Sequence, residues 1–138
     1  MSTEMIAGQV LYPGSAEGPL LKLTAPLSFW GGVDPATGEI ILGSHPERGR
    51  SVSGSILALA DPIGSSSSSS VLLELIHNRV APAAILLGTP DAILIVGCLV
   101  ARELGLKAPP ILVVAREWLH TLPNGRLSVS DGMVRQIS

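Results

Sequence analysis

Gly64 is followed by six serines, Ser65 to Ser70, which run without a break into the apolar segment Val71-Leu72-Leu73-Glu74-Leu75-Ile76. Hydroxyls in such density have two common uses. In a Gly/Ser linker they keep a mobile segment solvated. At the start of a helix they join backbone N–H groups that lack intrahelical partners, at the end carrying partial positive charge. A linker needs a separate domain on either side, and the flanking sequence offers none. The helical alternative costs only about half a kcal/mol per serine in propensity. A single N-cap serine would account for one hydroxyl of the six. A strand, a glycine that lets a ligand approach the backbone, several hydroxyls and a helix N-terminus together form a cradle for a carboxylate or phosphate.

Several reaction types lack their residues. The run reads G-S-S-S, not the G-x-S-x-G elbow of a serine hydrolase. No G-K-[S/T] follows the glycine, so a Walker-type nucleotide site is excluded. Of the three histidines, His77 falls on the helix about three turns from the serine end. His45, in a loop beside Pro46, is the better candidate to approach the serines. The single cysteine, Cys98, rules out an internal disulfide and a zinc or cluster site built from several cysteines of this chain. It lies in an apolar helical pattern and is read as core.

The elements that must position the serines follow from periodicity. Residues 5–12 read as a strand ending at Pro13-Gly14, and 20–23 as a second short strand. Residues 27–42 suggest two extended pieces around Gly31-Gly32 and Asp34-Pro35, with Gly38 closing the turn. A polar loop spans 44–51, and 54–60 is a strand running into Asp61-Pro62. Apolar residues at 71, 72, 75 and 76 predict a helix from about Ser67 to Asn78. Residues 83–87 and 110–115 are buried strands. Asp91 caps a helix that continues to Leu104 and stops at Gly105. The chain closes with a hairpin over 125–137 turning at Asp131-Gly132. This order predicts one α/β domain over residues 1–138, a mixed layer arrangement and not a doubly wound sheet.

The 138 residues suit a single domain, 46% hydrophobic and 14% charged, with a net charge of −2. The basic residues are scattered singly, which argues against a nucleic-acid partner. The start MSTEMIAGQV lacks the positive region and apolar core of a signal peptide. The longest apolar run, Ala92 to Ala101, is half the roughly 20 residues a membrane span needs. A cytoplasmic protein with no membrane association is expected. Mean hydropathy is nonetheless positive. A small domain has much surface for its volume, so part of this apolar excess faces outward, which points to a partner subunit.

Three stretches, APLSFWGGVDPATGEI (25–40), HPERGRSVSGSIL (45–57) and GSSSSSSVLLELIHNRVAPAAILL (64–87), resemble the small subunit of the aconitase X family. The resemblance implies an aconitase-like swivelling β/β/α domain, with mixed sheets or a small barrel-like β layer and helices packed on one side. It implies a large partner subunit carrying an iron or iron-sulfur centre, with no cofactor on this chain alone. It assigns Ser65 as the base that removes a proton α to a carboxylate, with Gly64, Ser66 and Ser67 around the substrate. Aconitases place an Arg where this chain has Ser67, so a tricarboxylate substrate is not expected. Archaeal members resembling mevalonate 5-phosphate dehydratases carry a basic residue where this chain has Ile63. The bacterial branch of the family resembles cis-3-hydroxy-L-proline dehydratase, whose one-carboxylate substrate suits Ile63 and the small serines better, and that resemblance implies dehydration of cis-3-hydroxy-L-proline to 1-pyrroline-2-carboxylate. The alternatives are a mevalonate 5-phosphate dehydratase subunit and a non-catalytic swivelling domain that binds a partner.

Other residues carry two readings each. Trp30 and Gly32 line a cleft or subunit seam, or form a tight turn with Trp30 in the core. Asp34 meets a substrate amine or stabilises the Asp-Pro turn, the turn being favoured. His45, with Arg48 and Arg50, faces the partner or sits in a solvated loop. Arg102, Arg116 and Arg126 are read as surface charges.

Overall fold

The first apolar stretch folds as two strands, β1 (Met5–Ala7) and β2 (Gln9–Tyr12), divided at Gly8. The chain continues through β3 (Ala16–Lys22), a single turn α1 (Phe29–Gly32), β4 (Ile56–Leu59), α2 (Ser68–His77), β5 (Ala84–Leu87) and α3 (Ala92–Glu103). It ends with β6 (Ile111–Val113), α4 (Arg116–Thr121) and the hairpin β7 (Arg126–Ser130) and β8 (Met133–Ile137). This computed structural model describes residues 5–137; Ser138 and the first four residues of the N-terminal stretch read above lie outside them.

The strands pair in the order β1-β8-β7-β3-β4-β5-β6-β2. Because β1 and β2 are separated only by Gly8, the first and last strands of that order are joined through the chain, and the layer is barrel-like. Gly8 N–H donates to Gly132 O at 2.8 Å across the seam. A Cβ at Gly8 would lie 3.0 Å from side-chain carbons of Leu112 and Val114, so a larger residue would have to displace those side chains at the seam. β3 serves both halves of the layer. Its residues Ala16–Pro19 pair antiparallel with β7, and Leu20–Lys22 pair parallel with β4. β4, β5 and β6 continue in parallel.

β4 and β5 are buried at every residue, which is why they read as unbroken apolar runs. Leu57, Leu59, Ile85 and Leu87 face one core with α2 and α3. Ile56, Ala58, Ala84 and Leu86 face a second core within the layer, closed by residues of β7 and β8 and by Leu119 and Leu122. The mixed α/β layer and the two long helices on one face agree with the sequence reading. Three details correct it. The stretch 5–12 is broken at Gly8, and β3 begins four residues before Leu20. Residues 116–121 form α4 on the second face, an element too short to show a helical period.

α2 buries Val71, Leu72, Leu75 and Ile76, the residues its periodicity selects. α3 packs across it through Leu94, Gly97, Cys98 and Ala101. Gly97 sets the distance of approach, since a Cβ there would lie 2.8 Å from Ser69 O in the first turn of α2. The opposite face of α3 leaves Val96, Leu99, Val100 and Leu104 exposed, so the apolar excess does face outward. Among the described residues, no helix is long and apolar enough to cross a membrane.

Gly97→Ala is expected to destabilise the chain by about 1–3 kcal/mol in urea unfolding through overpacking, despite a gain of about 1 kcal/mol in helix propensity. A variant as stable as wild type would mean that α2 and α3 separate without cost. Burial pushes the Cys98 thiol up to about 12. Cys98 should therefore resist thiol-disulfide reagents at pH 8 in the folded chain and react promptly in denaturant.

Candidate functional site

Parallel strands must be joined by a crossover, and the β4-to-β5 crossover is α2, so α2 starts at the carboxyl ends of the strands. This edge is where open α/β sheets hold ligands. The serine run opens there. Ser68–Ser70 form the first turn of α2, Ser67 is the N-cap with αR backbone, and Ser65 and Ser66 precede it. Ser68 N–H closes on Ser65 O at 2.9 Å. The run is thus ordered backbone leading into a helix, not a linker.

The six hydroxyls do different things. Ser68 is buried, and its Oγ accepts from Trp30 N–H at 3.2 Å and lies 3.4 Å from Ser28 Oγ. Ser69 Oγ donates back to Ser66 O at 2.8 Å. Ser67 makes no side-chain cap bond. Within the described residues no hydrogen bond engages the hydroxyls of Ser65, Ser66 or Ser67, and all three are at least partly exposed. A Cβ at Gly64 would meet only Ile93 Cδ1, at 3.8 Å. Packing within this chain does not demand a glycine there, and the space beside Ser65 is open.

The N-termini of the two long helices differ electrostatically. On α3, Asp91 Oδ1 accepts from Ile93 N–H at 2.7 Å and Leu94 N–H at 3.3 Å, so a carboxylate already sits there. α2 has neither a side-chain cap nor an acidic residue in its first turn. An anion finds free donors and uncompensated dipole at α2 alone of the pair.

The segment before α1 is drawn to the same place. Leu27 N–H bonds to Asp61 O at 3.4 Å, and Ile63 N–H to Leu27 O at 3.0 Å. α1 leaves helical geometry at Trp30 and Gly31, the latter at φ 78°. Trp30 is 61% exposed, which removes the core alternative for its side chain. Ile41, whose N–H donates to Gly32 O, is exposed too, as are Leu42 and Ile63. Gly32 is buried, and a Cβ there would come 2.6 Å from Leu27 Cδ1, so it serves packing. Asp34 holds the turn through Oδ1, which accepts from Ala36 N–H at 2.9 Å.

His45 is buried, which corrects the solvated-loop alternative. Its Nδ1 accepts from Glu47 N–H at 3.1 Å, which leaves Nε2 to donate to Ala25 O at 3.2 Å. Both ring nitrogens are occupied, so His45 fastens its loop to residue 25 and offers no free base to the serines. Nδ1 also lies 3.6 Å from Glu47 Oε1, but an acceptor nitrogen has no proton to give that carboxylate. Glu47 is engaged by Thr24 N–H and Oγ1–H, both at 2.9 Å.

Arg116 is not a simple surface charge. Nη1 and Nη2 grip the two carboxylate oxygens of Asp61 at 2.6 and 2.8 Å. The guanidinium beside Asp61 holds its carboxyl below the usual 3.8. Asp61 follows β4 and Arg116 follows β6, so the shared strand polarity places them at one edge. Opposite charges just past the ends of two parallel strands were the available sequence signal. Among the described residues, no group of three or more His, Cys, Asp or Glu side chains could hold a metal ion.

Comparison with known proteins accords with this geometry. The family model for the aconitase X swivel domain matches residues 5–136. The chain is 46% identical over 126 residues to a cis-3-hydroxy-L-proline dehydratase of Pseudomonas aeruginosa, covering 90% of this chain and 22% of that protein. It therefore spans about a fifth of that relative's length. It is 38% identical to a phosphomevalonate dehydratase small subunit of Methanocella arvoryzae, covering 92% of both chains. The crystal structure of Thermococcus kodakaraensis aconitase X in its holo-form superimposes with a TM-score of 0.85 at 30% identity, covering 98% of this chain and 99% of that one. With the family model spanning nearly every residue and the fold reproduced in a solved aconitase X, the chain belongs to the aconitase X swivel domain family.

Proposed function

We propose that this chain is the substrate-contacting small part of a hydro-lyase that dehydrates cis-3-hydroxy-L-proline, with Ser65 as the base. The observation that carries this reading is the free Ser65 hydroxyl, beside open space at Gly64 and at the uncapped N-terminus of α2. A serine hydroxyl is a poor base in water. It serves as one where donors and positive potential stabilise the alkoxide, as a helix N-terminus does. The Ser65 alkoxide takes the proton from Cα, and the C–H electrons form the C2–C3 double bond. The C3–O bond breaks, and the hydroxide leaves as water on protonation. The enamine product then tautomerises to 1-pyrroline-2-carboxylate. Ser66, Ser67 and the first-turn amides of α2 hold the substrate carboxylate.

The substrate assignment draws on the 46% identity to the Pseudomonas aeruginosa enzyme and on Ile63, which puts an apolar, half-exposed side chain beside Gly64 where a phosphate would want a cation.

The site is one wall only. Trp30 and Ile63 are exposed beside the serines, and Ile41 and Leu42 are exposed on the segment bonded to Gly32; we assign these apolar side chains to the seam with a large partner. Two supports are the small-subunit name of the Methanocella arvoryzae relative and the greater length of the Pseudomonas aeruginosa enzyme. The described residues do not fit an iron centre: the lone thiol is buried and held protonated, and among them no group of three or more His, Cys, Asp or Glu accompanies it. We therefore assign the family's iron or iron-sulfur centre to the partner.

The test is dehydration of cis-3-hydroxy-L-proline by the chain reconstituted anaerobically with its large partner, wild type beside Ser65→Ala. Loss of a general base should lower kcat by about 10²–10⁴-fold. An active complex indifferent to the substitution would remove Ser65 from the chemistry. A wild-type complex that acts on mevalonate 5-phosphate instead would overturn the substrate.

A further inference from the structure

The Asp61–Arg116 pair stands at the entrance to the serine loop and has no part in the reaction as proposed. Asp61 is the second residue after β4, and Ser65 lies four residues further on. The backbone between them is tied to residue 27 by the two hydrogen bonds already described. The Asp61 side chain is held by Arg116, whose Nη1 and Nη2 meet Oδ1 and Oδ2 at 2.6 and 2.8 Å while Nη1 also reaches Ala60 O at 3.4 Å. The stem of Arg116 crosses Gly88, the first residue after β5, where a Cβ would lie 3.0 Å from Arg116 Cγ and 2.8 Å from Ala60 O. The guanidinium thereby ties the end of β6 to the end of β4, with the end of β5 packed under its stem and bonded through Gly88 N–H to Ala60 O at 3.1 Å.

We propose that Arg116 is a positioning residue for Ser65, acting through Asp61; the proposal rests on the assignment of Ser65 above. A forked pair fixes direction as well as distance, which a lysine ammonium does not. Both side chains are close to half exposed, so the pair adds little to fold stability. Its contribution is orientation: it sets how the chain leaves β4 and where the loop presents the Ser65 hydroxyl. Asp61 is ionised throughout the neutral range, and the guanidinium beside it extends the pair to more acid pH than a free carboxyl would allow.

The experiment uses Arg116→Gln, Arg116→Lys, Asp61→Asn and the double variant Asp61→Asn/Arg116→Gln. In the reconstituted complex, kcat should fall by about 10–100-fold in each single glutamine or asparagine variant, the range for a displaced catalytic group. KM should stay within about twofold, because substrate binding is not what is lost. The double variant should be no worse than the worse single one, as coupled residues require. Arg116→Lys should recover only part of the rate. In the full chain without substrate, the amide resonances of Gly64–Ser67 should shift in the single variants while Tm stays within about 2 °C.

Unmoved loop amides with unchanged kcat would overturn the proposal. So would losses that multiply in the double variant, or a rate that falls only in step with Tm. If the wild-type complex is inert toward cis-3-hydroxy-L-proline, the proposed function fails separately, and unmoved or shifted amides still decide whether the pair holds the loop.

Discussion

Parallel pairing of β4 with β5 is the constraint on which the arrangement of this domain depends. Two parallel neighbours cannot be joined by a tight turn, so the chain must climb back along the face of the layer before the next strand begins. The crossover helix α2 consequently starts at the carboxyl end of β4, and α3 starts at the carboxyl end of β5 for the same reason. Both helices bring their positive ends to one edge. The loops after β4, β5 and β6 gather there, carrying Asp61, the serine run, Gly88 and Arg116. Neither the serines nor the ion pair need long-range recognition to find this edge, because strand polarity delivers them to it.

What happens at the edge is then decided by which helix end is already satisfied. Asp91 neutralises the start of α3, and the buried Ser68 spends its hydroxyl on Trp30 N–H. The hydroxyls of Ser65, Ser66 and Ser67 remain available. The run therefore divides its labour, its later members building the helix start and its earlier ones facing outward. Gly97 supports this division from the far side of α2, since its missing side chain lets α3 close directly on Ser69 O.

The outward surface explains how a small chain can be so apolar. Trp30 and Ile63 flank the serine loop, Ile41 and Leu42 are exposed on the segment bonded to Gly32, and Val96, Leu99, Val100 and Leu104 line the outer face of α3. Four aliphatic side chains on one helix face are poorly suited to water. A candidate site open on one side and flanked by exposed apolar side chains has the character of half an enclosure, in keeping with a family whose relatives include both small subunits and much longer chains.

Much of this was determined by the sequence itself. The 71, 72, 75, 76 periodicity locates α2, Asp91 and Gly105 bound α3, and the Asp131-Gly132 turn makes the last hairpin. In each case the information lies within a few residues, in a periodicity or a local hydrogen bond. The break at Gly8, the buried His45 and the Asp61–Arg116 pair were decided only by the tertiary structure. Gly8 breaks its strand because the layer closes on itself, which depends on strands more than a hundred residues away. His45 is buried because Thr24 and Ala25 receive its loop, and the half-exposed Arg116 is held in one direction by a carboxylate 55 positions earlier. The serine run shows both sides: its composition already indicated hydroxyls at a helix start, but which of them stay free depends on Trp30, a residue that only folding brings beside Ser68.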